Sequence, residues 1–460
     1  MKKLIILLLG IYLLSSCDDF TTITPISEVT VESSFNTASD FELAVNGAYQ
    51  ALQLTGNYGL NYIMVQEMRA DNSFNGGGPT GLAESIEEID VFGVLPRNGN
   101  IENVWRDSYN GINRTNAILD NIEDADFDPD LRDIIKGEAL FLRSLYYYHL
   151  ALTFGNIPLR LQVTRTPSEQ INQVPASEVF NQVIGDLDQA RQLLPQQFTD
   201  QEDIGRATSG AANTLLAKIH LITGNNQAAE DALRRVINSN QYRLLDDFSN
   251  LWGAENENNA ESIFEVQFKS GGTGTGSAYV DMFTDTPAGV GGGNAPQGVT
   301  ESIEEAFETG DLREAATIFE EPAQLSVTKY QGETFTELDS DLNFMVFRFA
   351  DVLLMLAEAI GESDEAYQLI NQVRERAGLD EIGPTTPGTF DEKLLQERRV
   401  ELAFENHRWY DLKRFNVAKQ VMADHLNMPE SEINLLFPIP QREIDVSNGE
   451  LIQNPEFTDL

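Results

Sequence analysis

Glu397, Glu401 and Glu405 recur every four residues in the run ERRVELAFENHRWYDLKR, a spacing that lines carboxylates along one face of an α-helix. Paired carboxylates can cleave a glycosidic bond, but they must face each other across the sugar, ~5–9 Å apart, usually from separate elements of a cleft. Successive rungs of one helix do not flank a substrate in that way. With Arg398 and Arg408 three residues from Glu401 and Glu405, the spacing predicts a salt-bridged structural helix running from Asp391 to Arg414. The chain has four histidines, His149, His220, His407 and His425, and none has a second His or Cys at metal-ligand spacing. Asp124, Asp126, Asp128 and Asp130 alternate like the start of a calcium loop. Pro129 takes the place of the required glycine, however, and Ile135 that of the closing glutamate, so an acidic turn is expected. The tract GGTGTGS at 271–277 lacks the Lys-Ser or Lys-Thr of a phosphate cradle. Neither a Gly-x-Ser-x-Gly elbow nor a His-Glu-x-x-His motif occurs. These residues predict no metal, no cofactor and no catalysis.

One residue is placed for covalent chemistry of another kind. Lys2 and Lys3 precede an apolar run from Leu4 to Leu14, then Ser15 and Ser16, then Cys17, the only cysteine. Charged, apolar and small residues in that order read as an export signal, and the apolar run is too short for the ~20 residues that a spanning helix needs. Leu14-Ser15-Ser16-Cys17 resembles the bacterial lipobox, which implies cleavage before Cys17 and lipid on its thiol and new amine. Residues 1–16 are thus expected to be a signal peptide and 17–34 a lipidated polar stalk. Seventy-three Asp and Glu against 31 Lys and Arg give a net charge of −42, which becomes −44 without Lys2 and Lys3. Such a surface repels phosphate backbones, so nucleic acid is not an expected partner.

The elements around these residues are mostly helical. Phe41, Ala44, Val45, Ala48, Tyr49 and Leu52 lie three and four apart on one face, and Trp105, Tyr109, Ile112, Ala117 and Leu119 predict another amphipathic helix. Residues 131–154 are apolar nearly all round, predicting a central helix stopped by Gly155. Residues 176–194 predict another helix. Residues 207–223 and 227–238 read as a helical hairpin resembling a tetratricopeptide unit, and 349–377 as a second. Between them the period shortens at Ile263, Phe264, Val266 and Phe268, predicting a strand, followed by glycine-rich tracts at 271–276 and 289–293.

Taken in order, the segments FNTASDFELAVNGAYQAL, VWRDSYNGINRTNAIL, GEALFLRSLYYYHLALTFGNIPL, RATSGAANTLLAKIHLITGN, FRFADVLLMLAEA, INQVRERAGL, QERRVELAFENHRWYDLKRFN and LLFPIP with LIQNPEF resemble the SusD/RagB family, lipid-anchored nutrient-binding proteins of Bacteroidetes outer membranes. The resemblance implies a mainly α fold, an α-superhelix with tetratricopeptide-like helix pairs, loop-rich insertions and short strands. It implies one domain over 35–460, with helical scaffold at about 35–240 and 345–415, ligand-binding insertions at about 241–344 and a tail at 416–460. It further implies a cell-surface, outer-membrane protein that captures oligosaccharide or polysaccharide, or in some members peptide, as the lid of a SusC-like TonB-dependent transporter. A lipid-anchored glycoside hydrolase is the reading from another class. Asp18-Asp19 match the family's surface-export tendency.

Trp105 and Trp409 fall inside these segments at helical spacing and are expected in the core; Trp252 lies outside them. Sugars are held by aromatic faces with amide and carboxylate hydrogen bonds beside them. The expected ligand contacts are therefore in loops: Asp71, Asn72 and Phe74 before the glycines at 76–78, and Tyr279, Asp281 and Phe283 between the glycine tracts.

Overall fold

Helices form where apolar residues recur at three and four, and their ends carry caps visible in the sequence. The structure, a computed structural model, describes residues 35–76, 83–164, 173–272, 274–283, 297–320, 325–330 and 338–458. The expected signal peptide, Cys17 and the stalk lie outside the described residues. In α1 (Ala38–Gln50) the Thr37 hydroxyl accepts from the Asp40 N–H, and the Asp40 carboxylate accepts from the Thr37 N–H, a reciprocal capping box. Then follow α2 (Asn61–Glu67), β1 (Ser73–Asn75), α3 (Glu84–Asp90), α4 (Gly99–Leu119) and α5 (Pro129–Phe154). The acidic turn ends as a cap: Asp128 accepts from the Asp130 N–H and Pro129 opens α5. Every residue from Gly137 to Phe154 is buried, so α5 is the central helix. Gly155 stops it at φ +74°, where a Cβ would come 2.7 Å from Leu436.

The chain continues through β2 (Ile157–Pro158), β3 (Gln173–Val174), α6 (Ala176–Leu193), α7 (Ser209–Ile222) and α8 (Asn226–Asn238). After them come β4 (Ser262–Val266), β5 (Gln297–Val299), β6 (Ile318–Glu320), β7 (Leu325–Val327) and β8 (Phe344–Arg348). The last helices are α9 (Phe349–Ile360), α10 (Asp364–Arg376), α11 (Phe390–Glu401), α12 (Arg408–Arg414) and α13 (Ala418–Leu426). From α4 to α10 each long helix packs on the next, including α8 on α9, although about a hundred residues separate those two in sequence. The mainly α fold with helix pairs α7–α8 and α9–α10 is the expected one. The stack is continuous in space because β4 and β8 pair antiparallel, Ser262 opposite Arg348 and Val266 opposite Phe344, closing the insertion at its base. No helix among the described residues is long and apolar enough to cross a membrane.

The expected helix over 391–414 is broken. It stops at Glu401 and restarts at Arg408, with Phe404 and Asn406 at φ +64° and +60° in the turn between. The turn swings Glu405 inward to Arg348 (2.7 Å) and Lys329 (2.7 Å). The pairing along the helix face is also replaced: Arg398 binds Asp411 (2.8 Å) and Asp351 (2.9 Å), and Arg408 binds Asp71 (2.7 Å). Glu401 takes Arg313 (3.0 Å), Arg348 and Arg376, and Glu397 takes Arg313 (2.5 Å) and Arg374 (3.0 Å). All of these groups are buried, so the charged run ties α10, α11 and β8 together from within.

Candidate ligand-binding site

The site begins at α11 and α12, from which Arg399 and Arg408 reach out of the ion-paired seam to the base of β1. Arg408 donates to both oxygens of Asp71, Nε at 2.7 Å and Nη2 at 2.9 Å, and Arg399 adds a third contact at 3.0 Å. Burial alone would raise the Asp71 carboxyl, but the hydrogen bonds and charge of Arg408, with Arg399, hold it down to about 2. Asn72, also buried, accepts Arg399 Nε at 2.9 Å. Its carbonyl accepts the Thr300 N–H at 3.1 Å, while the Thr300 hydroxyl donates to the Asp71 carbonyl at 2.8 Å. These bonds set β1 against β5 with Ser73 opposite Val299 and Phe74 opposite Gly298.

The other edge of β1 is tied to α3. The Asn75 N–H donates to Asp90 (2.8 Å) and its side-chain amide to Glu87 (2.8 Å). Burial lifts Asp90 to about 6. Alternation along a strand sends Ser73 and Asn75 inward and Phe74 outward, and Phe74 is 39% exposed. Its ring lies over Gly298, where a Cβ would meet ring carbon at 2.3 Å; glycine at that position lets the ring lie against the ribbon.

The second expected segment reaches the same ribbon from behind. The helical turn Val280–Phe283 packs against β5. Tyr279 has no exposed surface; its hydroxyl donates to the carbonyls of Asn343 (2.8 Å) and Leu342 (3.1 Å), and its ring meets those of Tyr330 and Phe344. Phe283 packs on Tyr330 and Phe404. Asp281, half-buried, accepts from the Leu338 N–H. The fold thus brings both expected segments to β5 but does not expose both. Asp71, Asn72, Tyr279 and Phe283 are buried mounting: the Asp71 carboxylate and the Asn72 amide oxygen are taken by Arg408 and Arg399, the Tyr279 hydroxyl by main chain and the rings by core packing, while the Asn72 amide nitrogen is buried without a partner. Phe74 alone of the six offers an exposed aromatic face. The sequence signal that separates Phe74 from Tyr279 is the strand alternation of Ser73-Phe74-Asn75; without its partner β5, that strand is too short to recognise.

Arginines hold Glu401 far below the ordinary carboxylate range despite its burial. His149, paired with the Tyr58 hydroxyl at 2.9 Å, and His407 are pushed down by burial to about 3, so both are neutral at neutral pH. No group of three or more His, Cys, Asp or Glu among the described residues is arranged to hold a metal. A separate cleft of about 1050 Å3, walled in part by Trp252, includes none of the six expected residues.

Known proteins share this fold. A model described as "SusD family" matches residues 322–457, and one described as "Starch-binding associating with outer membrane" matches 28–221. SusD-like protein P2 of Formosa agariphila is 28% identical over 96% of this chain and 96% of its own length. Among solved structures, a "Laminarin binding SusD-like protein" superposes with a TM-score of 0.81 at 28% identity, covering 92% of this chain and 99% of that one. Surface glycan-binding protein A from Bacteroides fluxus gives 0.80 at 26% identity, over 91% and 99%. With matching models in both halves and relatives of full length, the chain belongs to the SusD/RagB family.

Proposed function

We propose that this protein binds a neutral oligosaccharide or polysaccharide at the cell surface and delivers it, as a lid, to a SusC-like TonB-dependent transporter in the outer membrane. Phe74 is the observation that carries the reading. A ring 39% exposed on a ribbon fastened at both edges is a stacking platform for the C–H face of a sugar, held at little entropic cost. Full-length relatives whose names record laminarin or surface glycan binding support the ligand class. The net charge of −42 favours a neutral glycan over a polyanion. Lipid on Cys17 would keep the lid at the membrane, with the stalk as tether. The protein acts as a binder, since its densest carboxylates, Glu397, Glu401 and Glu405, are buried and shared among arginines.

Affinity electrophoresis of the mature protein against a panel of neutral and acidic polysaccharides tests this directly. Retardation by a neutral glycan, lost in Phe74→Ala, is expected. Retardation by none, with binding to oligopeptides, contradicts the ligand class; release of reducing ends from the retained glycan contradicts the non-catalytic reading.

A further inference from the structure

The cleft at Trp252 does not include Phe74 and has its own chemistry. Trp252, Phe248, Leu312 and Ala315 give it an apolar wall, and Leu312 is one of the most exposed large apolar side chains described. Three of its polar groups are buried with no hydrogen-bond partner: Trp252 Nε1, Thr328 Oγ1 and Arg376 Nε. The Arg376 side chain is only 4% exposed, and its terminal nitrogens are already used by Glu261 and Glu401, so the Nε–H is the donor it leaves unmet. Buried donors are nearly always satisfied in folded proteins, and three residues that line one space while each keeps an unmet polar atom suit an oxygen-bearing occupant. The volume, about 1050 Å3, is at the upper end of pockets that hold small ligands.

We infer that this cleft is a second saccharide site, distinct from the Phe74 platform, taking a neutral oligosaccharide; the inference rests on the glycan-binding reading. A sugar hydroxyl both accepts and donates, so it can meet the unmet donors and also the carboxylates of Asp246 and Glu255, which line the same cleft. The C–H face of a pyranose suits the indole, whose ring already has Lys329 Nζ at 4.5 Å from its centroid. Acidic sugars are disfavoured, because Asp246, Asp247, Glu255 and Asp341 line the space and the only cation among the lining residues, Arg376, is already paired. A basic peptide would suit the carboxylates but fits less well. Asp247 already accepts from the Ser249 N–H (2.9 Å) and hydroxyl (2.7 Å), Asp341 accepts from the Ser270 N–H, and two of the three unmet groups at the cleft, Trp252 Nε1 and Arg376 Nε, can only donate.

Trp105 and Trp409 are 3% and 2% exposed, whereas Trp252 is partly open, so acrylamide quenching reports chiefly on Trp252. The mature protein is titrated with neutral hexasaccharides of glucose in α-1,4, β-1,3 and β-1,4 linkage, and of mannose, xylose and galactose, with calorimetry in parallel. At least one of them is expected to shield Trp252 from acrylamide. The shielding should persist in Phe74→Ala and weaken at least tenfold in Ala315→Trp, which fills the cleft from an exposed position and leaves Trp252 in place. Calorimetric binding that Phe74→Ala abolishes, with Trp252 equally quenchable throughout, overturns the second site and leaves the surface reading standing. Shielding by hexalysine and by none of the sugars overturns the saccharide assignment of the cleft, and absence of calorimetric binding by any sugar overturns the glycan reading of both sites.

Discussion

The seam around α11 and the ribbon β1–β5 use arginine in opposite ways. In the seam, Arg313, Arg348 and Arg376 converge on Glu401, and every group is buried; charge is turned inward and matched there. At the ribbon, Arg399 and Arg408 reach out from α11 and α12 to clamp Asp71 and Asn72 from beneath, leaving an uncharged ring as the exposed feature. The most conspicuous charged cluster of the sequence is therefore the least available for chemistry. In the reading proposed, recognition falls to a surface whose residues look unremarkable one at a time. The contrast also separates what a substitution should do: changes in the seam should cost stability, and changes at Phe74 should cost binding.

Glu401→Gln is expected to have the largest effect, about 3–5 kcal/mol of unfolding free energy by urea titration, because it leaves three buried guanidinium groups short of a partner. A loss below about 1 kcal/mol would mean that the seam is not the keystone described here. Tyr279→Ala should cost about 3–5 kcal/mol through the cavity that it opens, whereas Tyr279→Phe should cost only about 1 kcal/mol, for the bonds to Asn343 and Leu342. Unchanged stability in Tyr279→Ala would put that ring back at the surface.

A pH experiment probes the boundary between the two regions. Burial lifts Glu67 to about 8, and the Asn406 N–H and Lys329 only partly oppose it. The folded protein keeps this proton, while the unfolded chain releases it above the ordinary carboxylate value of ~4.3. Stability from this group is thus greatest at low pH and declines as pH rises toward 8. Glu67→Gln should remove that decline and leave the variant more stable than the parent at pH 8, read by urea titration at pH 5 and pH 8. A variant less stable at pH 8 would reverse the assignment. Gly298→Ala should be milder, within about 1 kcal/mol in stability, yet it should weaken glycan binding because the added carbon displaces the Phe74 ring.

Much of the scaffold was legible before the structure. The period of Phe41, Val45 and Ala48, the apolar girth of residues 137–154 and the stop at Gly155 are local signals, and local signals survive folding. The break at 402–407 was not legible, because ERRVELAFENHRWYDLKR keeps a helical period throughout; only the distant Arg348 and Lys329, which draw Glu405 inward, reveal it. For the same reason Tyr279 and Phe74 looked alike. Loop composition marks both as candidates, but exposure is decided by partners far away in sequence, Asn343 for Tyr279 and Gly298 for Phe74. The pairing of β4 with β8 explains why a long insertion leaves the helix stack uninterrupted, and no period within either strand announces it.

The central claim is that binding resides on an exposed ring carried by a rigid, buried mounting. Calorimetric titration of a retained neutral glycan into the parent protein and Phe74→Ala, with thermal unfolding of both, tests it most directly. At least a tenfold loss of affinity is expected, with unfolding unchanged to within about 0.5 kcal/mol. Equal affinity in the two proteins would contradict it.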